Sequence, residues 1–225
     1  MKIITDKKRL NAFIKDHTLS LIFDDRMIQQ LQLHQFDPNE RLIEEGSDVK
    51  YLYLVLEGEA RVAPSSTEGK SGFLEYILPM DVIGDMEFFS HSPYFHSVVA
   101  LTFCTYLAIP VKMIDAHFSH NISFYQFICE NMASKMKRTS SRYSRSLLYP
   151  LKNRLANFLL EQKVRQHTNS ITLQTEQIAQ YFGVTSRHLR RVLSELEKEG
   201  IIKRVKDCIT LIKPEVLEDL SSVMK

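Results

Sequence analysis

The sequence predicts an α+β chain built from an antiparallel β structure, one long helix and a smaller helical domain that ends in a hairpin. Three observations predict it. Between about residues 35 and 110, short apolar runs alternate with turn residues, the pattern of an antiparallel sandwich or barrel. Between about residues 120 and 148 there is neither glycine nor proline, and a set of residues recurs at alternating four- and three-residue spacing, the pattern of a long helix with a packing seam. After Pro150 the apolar spacing stays helical while the charge changes sign.

Composition bounds the rest. The chain has 225 residues, 44% hydrophobic and 25% charged, which suits one large or two small domains. Seven glycines and seven prolines are too few for low-complexity disorder. No stretch of about 18 apolar residues is free of charge, which excludes a membrane-spanning helix. The start of the chain is polar at Lys2, Asp6, Lys7 and Lys8 and lacks a signal-peptide core. Cys104, Cys129 and Cys208 are odd in number and far apart, which argues against a disulfide framework. A cytoplasmic location is expected.

Charge divides the chain. Residues 1–134 hold 11 Lys and Arg against 18 Asp and Glu, and residues 135–225 hold 18 against 9. An acidic half joined to a basic half suggests a scaffolding or sensing part and a part that faces a polyanion.

Each element follows from its pattern. Leu10, Phe13 and Ile14, then Leu19, Leu21, Ile22, Met27, Ile28 and Leu31, give helical spacing over residues 8–33. Strands are expected at 41–44, 51–56, 60–63, 73–78, 98–101 and 105–109, and residues 65–70 read as an exposed hairpin loop. Tyr125, Cys129, Met132, Met136, Thr139, Tyr143 and Ser146 form the heptad seam, so the long helix is expected to pair with a second copy of itself. Phe124, Phe127 and Ile128 lie on an adjoining face. Pro150 breaks the helix.

A helix is then expected over 151–165 with Leu151, Leu155, Phe158, Leu159 and Val164 inward, followed by a short strand at 172–173. Residues 174–200 read as helix, sharp turn, helix. Thr175 is expected to cap the first, with Ile178, Ala179 and Phe182 inward. Gly183 allows the left-handed backbone of the turn. Thr185 or Ser186 caps the second, and Leu189, Val192, Leu193 and Leu196 form its buried stripe. Outward at its start stand Ser186, Arg187, His188, Arg190 and Arg191. A helix placed this way enters the DNA major groove by its N-terminal residues, where arginine pairs bidentately with guanine. Arg187 is the first candidate for a base edge and Arg191 for a phosphate. Two short strands, 201–205 and 209–212, flank a turn at Lys206-Asp207. They form a wing whose Lys203, Arg204 and Lys206 can lie beside phosphate.

On these residues the chain resembles the Crp/Fnr family of bacterial transcription regulators. The resemblance rests on Ile43-Glu44-Glu45-Gly46, on the run from Tyr51 to Val62, on Ile83-Gly84-Asp85-Met86-Glu87-Phe88-Phe89, on residues 154–160 and on the helix-turn-helix. Residues 149–155 and 183–189 look most like the YeiL-type members. The resemblance implies an N-terminal β-roll (jelly-roll) sensor domain at 1–118, a central dimerisation helix at 119–149 and a winged helix-turn-helix domain at 150–225. It implies a homodimer on double-stranded DNA, at a pseudo-palindromic operator with half-sites about one helical turn apart. Many relatives touch RNA polymerase. An alternative is a β-roll ligand-binding or regulatory module whose basic C-terminal domain binds protein.

The resemblance also places an effector pocket at Gly84, Asp85, Met86, Glu87, His96 and Ser97. Cyclic-nucleotide-binding members hold the ribose with a Glu after the glycine and the phosphate with an Arg-Ser pair. Here Asp85 replaces the Glu and His96-Ser97 replaces Arg-Ser. Neutral histidine lacks the bidentate fork, which disfavours cAMP and cGMP. An iron–sulfur cluster of the family's kind needs cysteines near the N-terminus, and none precedes Cys104. His91, His96, His117 and His120 are the haem or metal candidates, but their spacing alone supports them. Cys104 and Cys129 sit in apolar patterns and read as inert core thiols. The sequence has no phosphate-binding glycine loop, no nucleophile elbow and no zinc motif, so an enzyme is not expected.

Overall fold

The computed structural model describes residues 1–16, 19–64, 72–114, 116, 121–172 and 174–224. The chain divides into two compact units, Met1–Lys137 and Arg138–Lys225. The expected loop at 65–70, His117, His120 and Leu173 lie outside the described residues.

The first unit opens with strand β1 (Lys2–Ile4), helix α1 (Lys7–Asp16), a turn of 3-10 helix (Leu19–Leu21) and helix α2 (Asp25–Ile28). Asp24 caps α2 by accepting from the Met27 amide. Strands follow: β2 (Gln32–Phe36), β3 (Arg41–Ile43), β4 (Tyr51–Glu57), β5 (Ala60–Ala63), β6 (Glu75–Ile77) and β7 (Val82–Ile83). After helix α3 (Asp85–Ser90) come β8 (Ser97–Ala100), β9 (Cys104–Pro110) and the short helix α4 (Val111–Met113). A five-stranded sheet runs β1-β2-β9-β4-β7 and a four-stranded sheet runs β3-β8-β5-β6, each pairing antiparallel.

The expected helical reach to residue 33 is too long. Leu31 is buried, but Gln32 and Leu33 already belong to β2, paired with Ala108 and Leu107. The helical spacing of short apolar clusters does not separate a helix from the strand that follows it. β1 was not expected from the sequence, and β7 is only two residues long.

Strands β4 and β9 explain why this half carries apolar residues on both strand faces. Leu52, Leu54, Leu56, Leu107 and Ile109 pack with Leu10, Ile14, Phe23 and Met27 of the N-terminal helical segment. Tyr53, Val55, Tyr106 and Ala108 point the other way, against Ile43, Ile77, Val98 and Ala100. Successive strand residues alternate faces, so a strand covered on both sides must be apolar throughout.

Helix α5 (Ile122–Leu148) is the long central helix. Asn121 caps it by accepting from the Phe124 amide at 3.0 Å and donates to the Ile22 carbonyl at 2.8 Å. Phe124 and Ile128 are fully buried in the core of the first unit. The helix ends just before Tyr149-Pro150.

The second unit contains α6 (Leu151–Gln166), β10 (Ser170–Thr172), α7 (Thr175–Phe182), α8 (Ser186–Lys198), β11 (Ile202–Val205), β12 (Cys208–Leu211) and α9 (Pro214–Ser222). Its sheet runs β10-β12-β11. Helix α6 buries Leu151, Leu155, Ala156, Phe158, Leu159 and Gln162, while Val164, expected inward, is 70% exposed. The expected cap at Thr175 is displaced by one residue: Gln174 holds the cap position, with no side-chain bond.

Candidate nucleic-acid interface and effector site

Helices α7 and α8 meet at a turn the sequence dictates. Gly183 has φ +65°, and Val184 donates to the Ala179 carbonyl to close the end of α7. A left-handed residue ends a helix at low cost only when it lacks a Cβ. Thr185 then caps α8, its side chain accepting from the His188 amide at 3.2 Å, a contact worth about 1 kcal/mol. Phe158 of α6 stacks near Tyr181 and Phe182 at 5.0 and 5.4 Å between ring centroids, and Arg142 lies over Tyr181 at 5.0 Å.

Helix α8 has two chemically opposite faces. Leu189, Val192, Leu193 and Leu196 are all buried. Arg187, His188, Arg190 and Arg191 are exposed, as is Thr185, with Ser186 half-buried. Arg187 and Arg191 are one helical turn apart, so their side chains rise from the same face. They differ in what holds them. Arg187 makes no ion pair among the described residues, Arg191 lies 3.9 Å from Glu195, and Arg190 donates to Glu176 of α7 at 2.6 Å.

The wing is the hairpin β11–β12, paired from Ile202↔Leu211 to Val205↔Cys208. Lys206 occupies its tip with φ +54°. Lys203 and Lys206 are exposed. Arg204 faces inward instead: its guanidinium donates to Glu197 at 2.9 and 3.1 Å and to Ser194 at 3.0 Å. Its amide also donates to Glu197, and these bonds hold the Glu197 carboxyl below the usual range.

The seam of α5 is uncovered in the single chain. Cys129, Met136, Thr139, Tyr143 and Ser146 are exposed, and Tyr125 and Met132 half-buried. Met136 and Tyr143 are 75% and 65% exposed, far above what a packed core allows, and Leu147 beside Ser146 is 68% exposed. Cys129 is therefore not the core thiol expected from its apolar neighbours. Cys104 is one, fully buried and donating to the Glu59 carbonyl at 3.2 Å.

The sequence-predicted effector residues gather around the start of α3. Gly84 has φ +87°, and a Cβ there would meet Tyr94 at 3.1 Å and the Tyr51 carbonyl at 3.3 Å. Asp85 is 2% exposed. Lys135 of α5 places its Nζ 2.6 Å from both carboxylate oxygens of Asp85 and donates to the Val82 carbonyl at 2.6 Å. Met86 is exposed on the outer face of α3. Glu87 accepts from the Phe95 amide at 3.1 Å, and Ser97, buried, accepts from the Glu45 amide at 3.1 Å. The His96 ring lies 4.5 Å from the Phe95 ring in a tilted arrangement, and its Nδ1 is buried with no hydrogen-bond partner. Tyr53 and Tyr94 lie in the core between the sheets, and burial pushes both phenols well above their ordinary range, so they stay neutral.

A cyclic nucleotide needs a carboxylate free for the ribose and a fixed cation for the phosphate. Here the carboxylate is ion-paired to Lys135 although its Oδ2 makes no hydrogen bond, the serine hydroxyl already accepts one bond, and the histidine offers one unpaired nitrogen. These residues do not fit that ligand. No group of three His, Cys, Asp or Glu side chains among the described residues is placed to hold a metal ion.

Sequence reasoning missed Lys135 and Glu197. Lys135 lies 50 residues from Asp85, and nothing local marks it as a partner. Glu197 and Arg204 are seven residues apart across the α8–β11 turn, and opposite charge there was the available signal.

Fold and sites together define a regulator with a DNA-reading winged helix and a sensor-type β-roll. Residues 33–121 match the cyclic nucleotide-binding domain family, and residues 153–220 match the Crp-like helix-turn-helix domain family. The regulatory protein YeiL of Escherichia coli O157:H7 is 26% identical over 177 residues, covering 78% of each chain. The cAMP-activated global transcriptional regulator CRP of Salmonella typhimurium is 23% identical over 182 residues, covering 78% of this chain and 87% of that one. A CRP/FNR-family transcriptional regulator from Thermus thermophilus superimposes with a TM-score of 0.74 at 20% identity, covering 84% of this chain and 98% of that one. The chain belongs to the Crp/Fnr family of transcription regulators, with a helix-turn-helix DNA-binding domain. No helix among the described residues is long and apolar enough to cross a membrane.

Proposed function

We propose that two copies of this chain pair along α5 and read a pseudo-palindromic DNA operator with α8. Arg187 reaches a base edge, Arg191 a backbone phosphate, and Thr185, Ser186 and His188 the adjoining groove. Lys203 and Lys206 of the wing lie beside phosphate. Arg204 chiefly braces the wing, because Glu197 engages it, and Arg190, paired with Glu176 at the surface, adds a weaker contact to the DNA. The boundaries 1–118, 119–149 and 150–225 remain the functional division. The protein works in the cytoplasm, where its DNA is, and contact with RNA polymerase is the route by which it would activate. It carries out no catalysis.

The observation that carries this reading is the pair Arg187 and Arg191, exposed at the start of a helix whose other face is buried. The test begins by selecting DNA from a random pool with the purified protein. Affinity for the selected site is then measured against salt concentration, for wild type and for the triple variant Arg187→Ala, Arg190→Ala, Arg191→Ala. The wild type should weaken steeply with salt, and the triple variant should lose the site and show a shallower slope. Site-specific binding that survives all three substitutions overturns the assignment of α8.

A further inference from the structure

Helix α5 is fastened to the β-roll by two side chains one turn apart. Asn131 donates to the Met80 carbonyl at 2.6 Å and accepts from the Val82 amide at 2.9 Å. Lys135 takes the Val82 carbonyl and the Asp85 carboxylate, both at 2.6 Å. β7 is the edge strand of the five-stranded sheet. Val82 gives both its outward backbone groups to α5, where an edge strand would otherwise leave them to solvent.

The carboxylate end of the ion pair is buried and the ammonium end partly so. The Asp85 side chain is 3% exposed and that of Lys135 is 24% exposed. A buried carboxylate requires a compensating cation, and separating the two is strongly unfavourable. Any hydroxyl-bearing ligand that sought Asp85 would have to displace this ammonium. The pair also fixes the rotation of α5 about its own axis. Met132 and Met136 follow Asn131 and Lys135 by one residue each, so the bonds that hold 131 and 135 on the β-roll set the direction in which the seam faces.

We propose that Lys135 does from within the chain what an effector would do from outside it. It ties α5 to the β-roll, so that the dimer binds its operator with no cyclic nucleotide added. The inference rests on the DNA-binding reading above and goes beyond it in naming what sets the binding state.

The test uses the full chain, dialysed and checked by native mass spectrometry, with its selected operator. Four measurements decide it. Wild-type affinity should change by less than about twofold on adding millimolar cAMP or cGMP. The double variant Asp85→Asn, Lys135→Met strands no buried charge and should keep its melting temperature and dimer mass. Its operator affinity should nevertheless fall at least about tenfold. Lys135→Arg keeps the cation and should retain binding, which a purely space-filling role for Lys135 would not require. Unchanged affinity in the double variant overturns the proposal. So does a gain of about tenfold or more with cyclic nucleotide, or a small molecule retained in the native mass. Failure of the wild type to select any DNA overturns the DNA-binding reading, and this inference with it.

Discussion

The two units of the chain treat polar side chains in opposite ways. Around α3, polar groups are mostly consumed internally: Asp85 by Lys135, Glu87 by the Phe95 amide, Ser97 by the Glu45 amide. On α8 and the wing, Arg187, Lys203 and Lys206 are exposed and make no ion pair among the described residues. Both regions carry charged residues. What differs is whether the fold supplies the counter-charge. A site whose charges are answered from inside offers little to an ion from outside. Exposed cations left unanswered at the start of α8 and on the wing invite a polyanion.

The contrast can be broken most severely at its closed end. Lys135→Ala leaves Asp85 buried and uncompensated, and should lower the unfolding free energy by about 3–5 kcal/mol, read by urea denaturation. A loss close to zero would mean that water reaches Asp85. The open end is probed by Arg187→Ala, which should cost about 1–3 kcal/mol of operator affinity and relax preference at one base pair. Base-substitution scanning of the selected site reads that directly. Equal weakening at all sequences would make Arg187 a phosphate contact.

A smaller effect separates bound from unbound cations on the same helix. Arg190 is exposed and paired with Glu176, their side chains 58% and 61% exposed. Arg190→Ala should change stability by less than about 1 kcal/mol and affect DNA binding less than Arg187→Ala does. The mildest test concerns acid. Burial, aided by the nearby N-terminal ammonium, holds His34 below its ordinary pKa. As pH falls past about 6.5, the unfolded chain takes up a proton that the folded chain resists, so stability declines from there down to the folded-state pKa. His34→Gln should flatten that part of the stability profile. A profile identical to wild type would remove His34 as its source.

The sequence disclosed the open end better than the closed one, for a physical reason. The features of α8 are local: a capping Thr185, a glycine at the turn, a four-residue apolar stripe and arginines on the remaining face. Each follows from helical periodicity. The long helix α5 was legible for the same reason. The Asp85–Lys135 pair joins the start of α3 to a helix 50 residues later, and no local rule predicts such a contact. Pattern likewise failed at Gln32 and Leu33, where β9 recruits into a sheet what spacing alone assigns to a helix. Val164 matched the apolar spacing of α6 but is left exposed by the described residues.

Arg204 has a consequence for how the wing behaves. One guanidinium and its own backbone amide hold β11 to Ser194 and Glu197 of α8. On the DNA-binding proposal, the hairpin would therefore meet a duplex already in place, with little rotational freedom left to lose. A contact at Lys206 then costs less ordering entropy than the same lysine on a loose loop, because the wing is preorganised.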